Sequence, residues 1–117
     1  MALSMSRIST HILDLMHGHP AADVPVRLEQ QQSSGDWRDI GFARTDQDGR
    51  CTQLLPTDDL PPGVYRISFD TASYFTAQNL ASLYPVVEVT FQVRSGESHF
   101  HIPLLLSANG YTTYRGS

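Results

Sequence analysis

The chain of 117 residues contains five histidines and eight arginines but no lysine. Schiff-base chemistry on a lysine is therefore excluded, and any fixed positive charge in a site must be a guanidinium. His101 sits in the run His99-Phe100-His101-Ile102-Pro103-Leu104-Leu105-Leu106-Ser107. A strand has a period of two, so Phe100, Ile102, Leu104 and Leu106 share one face, and His99, His101, Pro103 and Leu105 the other. A strand histidine is ordinarily a solvated polar residue. Here Pro103 and Leu105 make its face partly dry. His11 lies on a similarly mixed face, with Ser9, Leu13 and Leu15. An imidazole in a partly dry cleft keeps a pKa near neutrality and serves as a general acid or base.

Two further groups complete the chemistry. Asn109-Gly110 is a hairpin signal, which folds the C-terminal residues back and sets Thr112, Tyr114 and Gly116 on one side. Arg50 leaves the Asp48-Gly49 turn directly; on local grounds alone it is a solvated surface charge. His99-x-His101 and His17-x-His19 have chelating spacings. No cysteine pair or carboxylate is spaced to complete a site, and His17-Gly18-His19 falls in a turn, so neither a metal nor a cofactor is expected. Asp46-x-Asp48-Gly49 lacks the third acidic position and the closing glutamate of a calcium loop.

The elements that must hold these residues are short strands. Ile8 to Leu15, Val24 to Glu29, Trp37 to Thr45, Val64 to Asp70, Val87 to Val93 and His99 to Leu106 alternate, with Ile40 and Phe42 placed in the core. Cys51 to Leu55 reads as a further short strand. Ser73 to Leu83 is the one helix candidate, capped by Thr71 or Ser73 and stopped by Pro85. About eight strands at spacings of roughly 8–12 residues, with one short helix, predict an all-β antiparallel sandwich.

Composition sets the bounds. A chain of this length forms one domain; we expect residues 1–7 to be a flexible extension and 8–117 the sandwich. The net charge is −4 with no basic cluster, so nucleic acid is not an expected partner. The longest apolar run, near Ile102 to Leu106, is too short to span a membrane. The start of the chain has no apolar signal core, and the single Cys51 has no partner for an internal disulfide. A cytoplasmic location is the expectation.

Three motifs in order resemble the signatures of the 5-hydroxyisourate hydrolase, transthyretin-like family. They are Ser9-Thr10-His11-Ile12-Leu13-Asp14, Thr45-Asp46-Gln47-Asp48-Gly49-Arg50, and His99 to Ser107 followed by Tyr114-Arg115-Gly116-Ser117. The similarity covers the chain from Ile8. It implies the transthyretin fold and hydrolysis of 5-hydroxyisourate to 2-oxo-4-hydroxy-4-carboxy-5-ureidoimidazoline in uric acid degradation, without a metal. It implies that His11 and His101 are catalytic and that Arg50 binds substrate and stabilises developing charge. Tyr114 and Ser117 would line the site, with His11, as substrate-binding residues. It also implies a homotetramer, a dimer of dimers, whose sites lie in an intersubunit tunnel. The face carrying Ser9, His11, Leu13, Pro103, Leu105, Thr112 and Tyr114 suits that, being too apolar for solvent and too polar for a core. The alternative is a transthyretin-type carrier of a small aromatic ligand, which wants a mostly apolar channel; a third reading is a monomeric sandwich that only mediates contacts.

Overall fold

A computed structural model of the chain describes residues 7–117. The strands are β1 (Ile8–Asp14), β2 (His19–Pro20), β3 (Pro25–Gln31), β4 (Trp37–Arg44), β5 (Arg50–Cys51), β6 (Gly63–Phe69), β7 (Val87–Val93), β8 (Phe100–Leu106) and β9 (Tyr111–Thr113); the helix α1 is Thr71–Thr76. They form two sheets. One runs β4-β3-β6-β7, antiparallel throughout; the other runs β2-β1-β8-β9, with β5 also pairing β1. Among the described residues no helix is long and apolar enough to cross a membrane.

The alternating residues build the core between the sheets. Ile8, Ile12, Phe100, Ile102, Leu104 and Leu106 face inward from one sheet, and Val26, Leu28, Tyr65, Ile67, Phe69, Val87 and Val93 from the other. Burying each large aliphatic side chain contributes about 1.5–3 kcal/mol. Thr10 and Asp14 share this inner parity and are buried too, while Ser9, His11, Leu13, His101, Pro103 and Leu105 take the outer face.

The pairing of β1 with β8 is parallel, in an otherwise antiparallel sandwich. These strands lie at opposite ends of the chain, so no hairpin dictates their direction. Ile8 pairs with Phe100 and Ile12 with Leu104 on the inner face, while Ser9 pairs with His101, His11 with Pro103 and Leu13 with Leu105 on the outer. That register brings the two histidine-bearing strands together.

Several local expectations change. Phe42 is 60% exposed, because the β3–β4 register shifts between Leu28 and Glu29, whose partners are Gly41 and Asp39. Ile40 is the extra residue of this bulge, so the alternation changes phase there. Ile40 packs against the core and Phe42 faces out with Arg27. The helix starts earlier and ends sooner than its pattern predicts. Asp70 is its N-cap, accepting from the Ser73 amide at 3.1 Å. Thr71 is instead its first residue and donates to the Tyr84 carbonyl oxygen at 2.6 Å. Asn79 takes a left-handed conformation, φ 58°, which ends helical geometry well before Pro85. The strand expected over Cys51 to Leu55 is only Arg50–Cys51, after which Leu54 and Leu55 turn into the core. The predicted extension lies outside the described residues except for Arg7, whose guanidinium donates to the Asp58 and Ser98 carbonyl oxygens at 2.6 and 3.0 Å.

Gly49 lets β5 approach β1. Its φ is +76°, its carbonyl accepts from the Ile12 amide at 2.7 Å, and a Cβ there would run into the Ile12 carbonyl oxygen. Gly49→Ala combines left-handed strain with a backbone clash. It is expected to lower stability by about 1–3 kcal/mol, read as a lower urea midpoint. An unchanged midpoint would contradict this close approach.

Candidate active site

The outer face of the β2-β1-β8-β9 sheet brings together His11, Arg50 and His101 of the residues singled out by sequence, while no strand register places Tyr114 or Ser117 among them. Arg50 stands opposite His11, and His11 opposite Pro103, across three adjacent strands. One step along, Ser9 stands opposite His101, and His101 forms a bridge with Gly116 from the C-terminal segment. Further on, Leu13, Leu105 and Thr112 form an adjoining row.

His101 is the most constrained member. Its Nδ1 lies 2.9 Å from the Oγ of Ser9, which is fully buried. The Gly116 amide donates to the His101 carbonyl oxygen at 2.7 Å. A Cβ on Gly116 would come within 2.6 Å of His101 Cδ2 and 3.3 Å of Pro103 Cγ, so the imidazole rests directly on the glycine backbone. With Nδ1 engaged, Nε2 is the nitrogen left for chemistry. Burial holds the His101 pKa below its ordinary value of 6.5, and the positive potentials of His11, Arg50 and His99 push it the same way. The ring is therefore neutral at pH 7 and free to accept a proton.

Arg50 is fixed at its backbone. Its amide donates to Asp46 Oδ1 at 3.0 Å, and the Asp46 amide donates to the Arg50 carbonyl oxygen at 3.0 Å. Its side chain is exposed and makes no salt bridge among the described residues.

The C-terminal segment is anchored beside His101. Arg115 donates to Glu97 Oε2 at 2.9 Å and to the His99 carbonyl oxygen at 3.1 Å, and its guanidinium stacks 4.2 Å from the Phe100 ring. Tyr114 is 55% exposed and also borders a cavity of about 290 Å³ at the edge of the sandwich, with Phe91 and Phe100. Ser117 is exposed, one residue beyond the His101 bridge.

Sequence reasoning placed Ser9 and Gly116 near the site without giving either a task. Their signals were positional: Ser9 shares His11's face two residues earlier, and Gly116 shares Tyr114's. Gly116→Ala is expected to displace the His101 ring and cut kcat by about tenfold or more, since a misplacement near 1 Å can cost on the order of 100-fold. Retention of full turnover in steady-state kinetics would contradict this packing.

The larger cavities lie elsewhere. One of about 400 Å³ is lined by His19, Pro20, Arg44 and Tyr74, another of about 390 Å³ by Arg38, Leu55 and Tyr65. On the outer face, Arg50 is exposed and His11 and His101 are half-buried.

A two-sheet sandwich with this histidine-arginine face and tail defines a recognisable class. Residues 8–116 match the HIUase/Transthyretin family, and the chain belongs to it. It is 43% identical over 117 residues to 5-hydroxyisourate hydrolase of Salmonella typhi, covering 100% of this chain and 85% of that protein. Among solved structures, transthyretin from Sparus aurata aligns with a TM-score of 0.89 at 35% identity, covering 94% of this chain and 96% of the other. The 5-hydroxyisourate hydrolase of Klebsiella pneumoniae aligns with a TM-score of 0.82 at 31% identity, covering 94% and 98%. Backbone similarity thus spans both branches of the family, and the side chains on the outer face must separate them.

Proposed function

We propose that this protein is a 5-hydroxyisourate hydrolase of uric acid degradation, which opens the six-membered ring of its substrate by adding water across a carbon–nitrogen bond. The product is 2-oxo-4-hydroxy-4-carboxy-5-ureidoimidazoline. The observation that carries the reading is the strand register that sets His11 opposite Arg50 and puts His101 on the strand beside it, with His101 Nδ1 2.9 Å from the Oγ of a buried serine. A ligand carrier has no need of a neutral, oriented imidazole beside an exposed guanidinium.

In this mechanism His101 Nδ1–H donates to Ser9 Oγ and Nε2 takes a proton from water. The Nδ1–H bond persists when the ring becomes an imidazolium, so the ring need not reorient. The hydroxide equivalent adds to a ring carbonyl carbon. Arg50 pairs with the oxygen on which negative charge develops. His11 relays the proton toward the leaving nitrogen as the carbon–nitrogen bond breaks, leaving a carboxylate and an N–H. Tyr114 and Ser117 orient the substrate by hydrogen bonds. The mixed outer face, with half-buried Leu13 and Leu105 beside exposed Thr112, supports a homotetramer, a dimer of dimers, in which a second subunit closes each site into a tunnel. The buried, free Cys51 fits a reducing compartment, and the cytoplasm is part of the same reading.

Purified protein added to freshly generated 5-hydroxyisourate should accelerate loss of its ultraviolet absorbance well beyond the spontaneous rate. An unchanged rate would overturn the reading. The depressed His101 pKa fixes the pH dependence. The base form of the free enzyme is lost on the acid side of 6.5, so kcat/KM should hold steady at neutral pH and decline on the acid side, with a midpoint below that value. Folding has the same sign, because the unfolded chain takes up this proton more readily than the folded one. An acid limb centred above pH 6.5, or one unchanged in His101→Asn, would contradict the assignment.

A further inference from the structure

A second pair of imidazoles, His17 in the turn after β1 and His19 at the start of β2, lies at the end of β1 remote from Ser9. Asp14, at the end of β1, is buried and receives four hydrogen bonds. The Met16 and His17 amides donate to its Oδ1 at 2.9 and 3.1 Å. The Tyr74 hydroxyl donates to Oδ2 at 2.6 Å, and His17 Nδ1 lies 2.7 Å from the same oxygen. The carboxylate is an acceptor toward all four, so His17 Nδ1 carries the hydrogen. His19 Nδ1 lies 2.9 Å from the Pro20 carbonyl oxygen, which also only accepts, so His19 Nδ1 is protonated too. Each neutral ring is therefore left with its lone pair on Nε2.

The two rings are exposed and stacked, with centroids 5.5 Å apart and planes 17° from parallel. One potential ligand atom from each of Asp14, His17 and His19 lies within 4.8 Å of the other two. Metal-binding histidines characteristically donate their second ring N–H to a carboxylate or carbonyl, which sets the tautomer and the ring direction. Both rings already meet that condition. By spacing alone no carboxylate completes a site; the fold brings in Asp14 from behind, as an orienting group.

We propose that His17 and His19 form a surface site for a borderline divalent transition-metal ion of the copper(II), nickel(II) and zinc(II) class, bound through both Nε2 atoms, with Asp14 holding His17 in its ligating tautomer. Imidazole nitrogen suits these ions and not calcium or magnesium. The site is separate from the outer-face cluster and has no part in the hydrolysis.

Copper(II) is the probe. The full chain is titrated at about pH 7.5, above the ordinary imidazole pKa of about 6.5, and followed by calorimetry and by nitrogen hyperfine structure in electron paramagnetic resonance. His11→Asn/His101→Asn serves as background, because the outer-face imidazoles are competing ligands. That background protein should bind one copper per chain with nitrogen ligation. Adding His17→Gln or His19→Gln should weaken binding at least about tenfold, and Asp14→Asn about 10- to 100-fold. Should Asp14→Asn fail to fold, the two exposed histidine variants decide the matter. Copper affinity unchanged by both of them, or no copper bound by the background protein, would overturn the site. His17→Gln and His19→Gln in the otherwise native chain should keep native hydrolase activity, so this test stands apart from that of the hydrolase reading.

Discussion

His101→Asn is expected to reduce kcat for 5-hydroxyisourate hydrolysis by on the order of 100- to 10,000-fold, the range for loss of a positioned general base. Asparagine keeps a polar group of similar size at the Ser9 position, so the hydrogen bond to Ser9 Oγ has a replacement and the strand has no reason to unfold. It has no basic nitrogen at the position of Nε2, so water is no longer deprotonated. The loss should therefore fall on kcat with KM little changed. The thermal midpoint should stay near that of the native chain, because His101 lies on the outer face and outside the apolar core. A residual turnover within threefold of native would remove His101 from the chemistry.

Arg50→Lys is expected to cost about 100- to 1,000-fold in kcat/KM, comparable to removing one oxyanion-stabilising donor. Lysine preserves the charge and most of the reach. It lacks the planar pair of donors that matches a carbonyl or carboxylate edge-on. Arg50 makes no salt bridge among the described residues and is exposed, so stability should not change. Its backbone bonds to Asp46 do not depend on the side chain. Native kinetics in Arg50→Lys would mean that charge alone suffices, or that Arg50 is the solvated residue its turn position describes.

Much of this arrangement was legible because β1 and β8 alternate cleanly. The parity of Ile8 to Asp14 and of Phe100 to Leu106 settles which side chains enter the core and hence which stand outside with His11 and His101. The Asn109-Gly110 turn likewise set the tail back against β8, where Leu106 meets Tyr111 and His101 meets Gly116. The partnership of β1 with β8 was not legible. A pattern of alternation carries no information about which non-consecutive strands pair, or in which direction. The Ser9–His101 hydrogen bond depends entirely on that pairing. Phe42 was misread because a bulge leaves no mark in a hydrophobic pattern. The pairing of Asp14 with His17 has no signal in the alternation of β1, because Asp14 has inward parity there and the turn that follows brings His17 back onto it.

The central claim is that His11 and His101 act as one proton-transfer unit beside Arg50. It is tested most directly by a cycle of His11→Asn, His101→Asn and the double variant, with kcat/KM measured on freshly generated 5-hydroxyisourate. Residues that share one step give non-additive losses, so the double variant should fall no further than about the worse of the two singles. Single losses that simply multiply, or a double variant with near-native turnover, would contradict it.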